Sequence, residues 1–235
     1  MRKVAFVTCG AIGSGRDITL ALARAGFDLV IHHHDAPTPA REAARRVEAV
    51  GRRALVVEGD LREEAAVGEM VRRIRTRFGR LDALVNCPGP GSAAGLWEGP
   101  GTGDQPAPGP DPYQSLLEDL EGPYRIVGAA AALLGESGGS VVNVLDGGGT
   151  DSFTTEGWVH LTRGFARAMA PRVRVNAVAI RRGAGQGGST RSTPLVAMAP
   201  DSGEVVRAVL FVLGSPHLVG EVIRAGEDLP GDGAP

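Results

Sequence analysis

Short apolar runs alternate with helical patterns along most of the chain. A run from Val4 to Thr8 leads into a glycine-rich turn, Cys9 to Gly15, and then into a helical pattern from Asp17 to Ala25 that Gly26 ends. The run FDLVIHHH follows at once, which completes a strand-helix-strand unit of ordinary length. The pattern then predicts a charged helix from about Pro39 to Val50, the strand ALVVEGD, a helix from about Glu63 to Phe78 and the strand LDALVN. After a Pro/Gly-rich loop from Pro88 to Pro112, it predicts a long helix from Tyr113 to Leu134, the strand SVVNVLD and a helix over 152–169. The strand RVNAVAI, a helix around Gly203 to Leu213 and the strand EVIRAG close the series. The predicted strands are short and β-branched and do not alternate apolar with polar positions, so helices should cover both faces of the sheet. The expected fold is therefore α/β: one Rossmann-like, doubly wound parallel sheet of about seven strands, with no internal repeat.

A length of 235 residues suits one such domain, spanning 1–235. With 25 basic and 27 acidic side chains, the chain has no charge excess to draw nucleic acid or an anionic membrane, and neither is expected as a partner. The opening run VAFV is too short for a signal peptide or a spanning helix. Two cysteines are too few for a disulfide framework. Both observations point to a cytoplasmic protein.

Candidate chemistry begins at the first turn. Gly13 and Gly15 stand where the first strand becomes the first helix, and glycines there let backbone N–H groups approach a pyrophosphate at a helix N-terminus. Asp60 ends the third strand in GDL, Asn86 ends the fourth in VNCPG, and Asn176 lies in RVNAVA. With these residues in place, the chain resembles the short-chain dehydrogenase/reductase family, particularly its 3-oxoacyl-carrier-protein reductase and pteridine reductase members. The resemblance runs end to end. The family's TGxxxGxG corresponds to Thr8 to Gly15, its adenine-contacting Asp to Asp60, and its NNAG to Asn86 to Gly89. Its RVNAV strand corresponds to Arg174 to Val178, and its TGxxxxxDGG to Val219 to Asp228.

The resemblance implies an NAD(P) cofactor, with contacts at Thr8, Gly13, Gly15, Asp60, Asn86 and Gly89. Departures imply weakened binding. The first motif glycine is Cys9, whose side chain narrows the phosphate space and penalises any positive φ required there. Ser14 replaces the usual Ile, and NNAG has become Asn86-Cys87-Pro88-Gly89. Where pteridine reductases hold an Arg for the 2′-phosphate, this chain has Asp35 after His32, His33 and His34. Asp35 would repel that phosphate, and a histidine such as His33 would accept it if protonated, so NAD and NADP both stay open. HHHD also reads as a metal site or as a solvated strand end. Alternation puts His32 and His34 on one face and His33 on the other, which argues against metal. Family topology sets Cys9 near Cys87, either as a thiol pair or as two small buried fillers.

The resemblance also implies where the catalytic groups belong. In the family a Tyr donates the proton, a Lys lowers that Tyr's pKa, a Ser binds the carbonyl and an Asn anchors a water. Aligning HLTRGFARAMAP puts the Lys position at Thr155 and the Tyr position at Asp151. Aligning GSVVNVLD puts the Ser at Asp146, and LEDLEGPY puts the Asn at Asp119. All four are replaced, and the chain's two tyrosines, Tyr113 and Tyr124, both precede the fifth strand. An Asp with an ordinary pKa of about 3.9 is ionised at neutral pH and donates no proton. Three readings follow. One is a non-catalytic subunit, pairing with itself or a paralogue through helices 113–134 and 152–169 and the last strand. The second is an atypical NAD(P)H-dependent ketoreductase. The third is non-redox acid/base chemistry, as in a dehydratase, isomerase or cyclase, using Asp119, Asp146 and Asp151, which are otherwise solvated or neutralised by Arg181 and Arg182.

Overall fold

Seven parallel strands form one sheet in the order β3-β2-β1-β4-β5-β6-β7. The computed structural model describes residues 2–88, 112–147, 153–181 and 202–225. The strands are β1 (Val4–Val7), β2 (Asp28–His33), β3 (Ala54–Glu58), β4 (Ala83–Asn86), β5 (Ser140–Gly147), β6 (Arg174–Arg181) and β7 (Val222–Arg224). Between them run α1 (Gly13–Arg24), α2 (Pro37–Ala49), α3 (Glu64–Phe78), α4 (Pro112–Ser137), α5 (Phe153–Met169) and α6 (Ser202–Gly214). This is the doubly wound arrangement the unalternating strands predict: β1, β2 and β4 are buried at every position.

Each face of the sheet carries its own core. On one, α1, α2 and α6 pack Ile18, Leu22, Val47, Val209 and Val212 against Val7, Ile31 and Val85. On the other, α3, α4 and α5 pack Met70, Ile74, Ile126, Leu133 and Ala166 against Phe6, Val30 and Leu84. Burying side chains of this size is worth about 1.5–3 kcal/mol each, and it fixes the register of the strands whose residues are buried.

The helix limits shift slightly from expectation, for local reasons. Helix α2 starts at Pro37, since a proline lacks the N–H that a first-turn residue leaves unbonded anyway. Helix α3 stops where Gly79 takes φ 70°. Helix α4 continues past Leu134 to Ser137 and tolerates Pro123 within it. Strand order reverses direction between β1 and β4, so their C-terminal ends flank a crevice of the kind that holds ligands in open α/β sheets.

Candidate functional site

The turn from β1 to α1 forms the crevice floor. Cys9 there has φ 47°, the left-handed region that costs a side chain about 1–2 kcal/mol, so the positive φ foreseen at this position is present and a cysteine bears it. Two consecutive amides of the turn are held by one residue: Cys9 N–H donates to His32 Nδ1 at 3.1 Å, and Gly10 N–H donates to the His32 carbonyl at 3.0 Å. The Thr19 hydroxyl donates to the Gly10 carbonyl at 2.9 Å. A Cβ on Gly15 would strike the Cys9 carbonyl, so helix α1 can approach the turn only with glycine at that position. Gly13, with φ 51°, would present a Cβ to open space among the described residues. Helix α1 has no side-chain cap at Ile12 and no acidic residue in its first turn. A helix start without a side-chain cap suits an anion. The residues present at this turn, Gly13 and Gly15 with the uncapped start of α1, are compatible with the pyrophosphate of a dinucleotide.

Thr8 is tied into the sheet. It is 1 % exposed, its hydroxyl accepts the Cys87 N–H at 2.9 Å, and its own N–H donates to the Val85 carbonyl at 3.0 Å. It latches β1 to β4 and spends its polar atoms doing so. Burial pushes the Cys9 thiol up, and burial with the neighbouring Cys9 pushes Cys87 up further, so both stay protonated free thiols that pack as small fillers.

Asn86 anchors a buried amide chain that sequence reasoning missed. Its Nδ2 donates to Asn143 Oδ1 at 2.9 Å, and Asn143 Nδ2 donates to the Thr162 hydroxyl at 2.9 Å. Asn86 and Asn143 are register partners on β4 and β5, and Thr162 reaches in from α5. Asn86 Oδ1 is buried without a hydrogen-bond partner among the described residues, at the crevice end of its strand. The signal was an asparagine inside the apolar run SVVNVLD, but its partners lie 57 and 19 residues away.

The histidine run is not a solvated strand end. His32 and His33 are 2 % and 4 % exposed, and β2 ends at His33, so only His34 lies in solvent, paired with Asp35 at 3.1 Å. His32 Nε2–H donates to the Gly59 carbonyl at 2.9 Å, and with Nδ1 accepting from Cys9 both ring nitrogens are used. His33, expected to meet a phosphate, accepts the Ala36 N–H on Nδ1 at 3.3 Å. Asp60 accepts both Arg62 Nε and Nη2 and the Arg62 amide, and this clasp, led by the side-chain hydrogen bonds, holds its carboxyl down to about 2. An adenine amine would have to share those oxygens with Arg62.

Of the catalytic candidates, Asp119 falls on α4, Asp146 on β5 opposite Ile180, and Thr155 on the first turns of α5; their side chains, and all of Asp151 and Gly89, lie outside the described residues. Tyr124 is 57 % exposed, with its ring 5.5 Å from Phe165, so it lies on the outer surface of α4 and α5.

A family model described as short chain dehydrogenase matches residues 3–182. The chain belongs to the short chain dehydrogenase family. An uncharacterized oxidoreductase, MT0954, from Mycobacterium tuberculosis (strain CDC 1551 / Oshkosh) is 31% identical over 187 residues, 75% of this chain and 68% of that protein. L-rhamnose 1-dehydrogenase (NAD(P)(+)) from Sphingomonas sp. (strain SKA58) is 30% identical over 60% of this chain and 54% of that enzyme. General stress protein 39 of Bacillus subtilis (strain 168) is 39% identical over 84 residues, but the match spans only 36% of this chain and 29% of that protein. Among solved structures, a short chain dehydrogenase from Burkholderia cenocepacia J2315 in complex with NADP superposes with TM-score 0.72 at 26% identity, covering 94% of this chain and 95% of that one. No described helix of this short chain dehydrogenase is long and apolar enough to cross a membrane.

Proposed function

We propose that this chain is a non-catalytic short chain dehydrogenase: a subunit that keeps a weakened nucleotide cradle, lacks the family's proton donor and pairs with a second copy or an active paralogue. The chain's tyrosines carry this reading. Only Tyr113 and Tyr124 occur, none follows β5, and Tyr124 faces outward against Phe165. Carbonyl reduction needs a proton at oxygen as hydride reaches carbon, and an ionised Asp at the donor position would repel the forming alkoxide. The weakening of the cradle is read from Cys9, which carries a side chain in a left-handed turn, and from Asp60, which Arg62 already occupies. The pairing is read from the outer face of α4, where Leu117, Tyr124, Gly128 and Ala132 recur at helical spacing and are exposed. Small residues there and at Gly164 on α5 let helices of two subunits approach closely. Within the family, the motifs suggest the 3-oxoacyl-carrier-protein reductase and pteridine reductase branch, and a cytoplasmic location.

When bound, NAD(P)H would supply hydride; the uncapped start of α1 would hold its pyrophosphate. A second reading, an atypical NAD(P)H-dependent ketoreductase, is favoured by that cradle and by relatives named as oxidoreductases or dehydrogenases. Calorimetric titration with NADH and NADPH, nucleotide consumption with a panel of ketones and aldehydes, and light scattering separate the two. A non-catalytic subunit should show weak binding, no consumption and an oligomer that Gly128→Arg dissociates. Steady NADPH oxidation with any carbonyl, abolished by Gly15→Ala, would establish the second reading instead.

A further inference from the structure

We propose that His32 is the positioning residue of the nucleotide turn: its ring bridges Cys9 N–H and the Gly59 carbonyl, and its Nδ1 end sets the backbone orientation with which Cys9 to Gly15 meets a pyrophosphate. This rests on the reading that the crevice takes a nicotinamide dinucleotide. The ring is enclosed, 2 % exposed, with the Phe6 ring edge-on at 6.5 Å. Its tautomer is dictated by its neighbours: an amide N–H faces Nδ1 at 3.1 Å and a carbonyl faces Nε2 at 2.9 Å, so the proton sits on Nε2.

The carbonyl end of the bridge is closely packed. Gly59 has φ 151°, and a Cβ there would lie 2.9 Å from Met70 Cε and 3.0 Å from Ala66 Cβ, so α3 packs directly on it. Anchored at Gly59, the ring presents a fixed acceptor to Cys9, the turn's one described residue that is not glycine and has positive φ. His32 holds the next amide too, through its carbonyl to Gly10 N–H. Releasing Cys9 N–H lets that peptide relax toward ordinary φ. The Cys9 carbonyl then turns, and Gly15, which packs on it, moves with the first turn of α1. A residue of β2 that touches no ligand thereby governs the anion cradle built by β1 and α1.

Two conservative variants divide the bridge. His32→Asn keeps an acceptor near Nδ1 and loses the Nε2 donor; His32→Gln keeps a donor near Nε2 and loses the acceptor. His32→Leu removes both. The expected result, by titration with NADPH at a temperature where circular dichroism shows all variants folded, is an Asn variant within about threefold of wild type and Gln and Leu variants weakened by about tenfold or more. A role in packing alone would lower the melting temperature in all three without separating Asn from Gln in affinity, and that pattern overturns the proposal. Amide exchange of Cys9 in the ligand-free protein supplies a readout independent of nucleotide: protection retained in the Asn variant and lost in the Gln and Leu variants is expected, and equal protection in all overturns it. A wild-type protein that binds neither NADH nor NADPH overturns the nucleotide reading, and amide exchange at Cys9 then decides by itself whether His32 sets the turn.

Discussion

Lowering the pH from about 7 to about 4 should destabilise this fold through His32, and His32→Asn, which cannot titrate, should remove that part of the loss. In the unfolded chain an imidazole has an ordinary pKa of about 6.5. In the folded protein, burial first, and then the charges of His33 and His34, pull His32 down to about 4, against the opposing pull of the Gly59 hydrogen bond and the Asp60 carboxylate. Between those two values the unfolded chain binds a proton that the folded chain refuses. Stability is therefore full above the unfolded value and is lost as the pH falls through the interval, and the gap corresponds to about 3 kcal/mol. That is a large share of the roughly 5–15 kcal/mol typical of a folded domain. The structural event is specific: a proton on Nδ1 sets a donor against the Cys9 N–H that it now accepts. Urea unfolding followed by circular dichroism at several pH values from about 7 to about 4.5, for wild type and His32→Asn, reads the difference. Carboxylates that do not interact with His32 titrate alike in both proteins and cancel. Unfolding free energies that fall in parallel for the two proteins across this range would refute the burial and tautomer assigned to His32.

Two further outcomes test the rest of the frame. Cys9→Gly removes a left-handed cost of about 1–2 kcal/mol but adds about 0.5–1 kcal/mol of chain entropy, so stability should stay within about 1 kcal/mol of wild type while NADPH affinity rises several-fold in calorimetry; unchanged affinity would show that Cys9 does not obstruct the cradle. Asp28 is fully buried, and although burial raises its pKa, the Arg53 amide, guanidinium and charge together with Arg2 bring it below the usual value, so it adds stability that is lost as pH falls through its folded pKa. Asp28→Asn should cost about 2 kcal/mol at neutral pH in urea unfolding, moderated because Arg53 is 43% exposed, and should flatten the acid limb below about pH 4.

The sheet was legible because strands buried on both faces leave an unmistakable apolar, β-branched record, and all seven appear where that record falls. The strained φ at Cys9 was legible too, since a glycine motif with its first glycine replaced forecasts where a side chain will sit badly. The histidines misled because a polar run at a strand end looks solvated. Composition does not reveal that the β1 turn folds over β2 and meets His32 from one side while Gly59 meets it from the other. The amide chain from Asn86 through Asn143 to Thr162 was hidden for a related reason, since it depends on strand register and on which helix residue faces the sheet. Arg62 was hidden differently. Asp60 carries the family motif, but the residue two places on decides whether its oxygens are available.

The two halves of the crevice use different kinds of chemistry, and this explains how one can outlast the other. The cradle at α1 acts through main-chain N–H groups and a close approach at Gly15, so it needs few particular side chains beyond glycines and a residue such as His32 to hold the turn. Proton delivery to a carbonyl usually depends on a side-chain acid of suitable pKa at one place, and an Asp of ordinary pKa is the wrong charge at neutral pH. Drift in side chains therefore removes the reaction before it removes the nucleotide turn. It would remove the sheet last, because most core residues on both faces lie outside the turn. On the proposed reading, the positions that the resemblance assigns to proton handling, Asp119, Asp146, Asp151 and Thr155, are the replaced ones, whereas Gly13 and Gly15 stay at the turn. On the proposed reading, such a subunit would still fold, would offer the outer faces of α4 and α5 to a partner, and would bind nucleotide with an affinity that Cys9 and Arg62 lower.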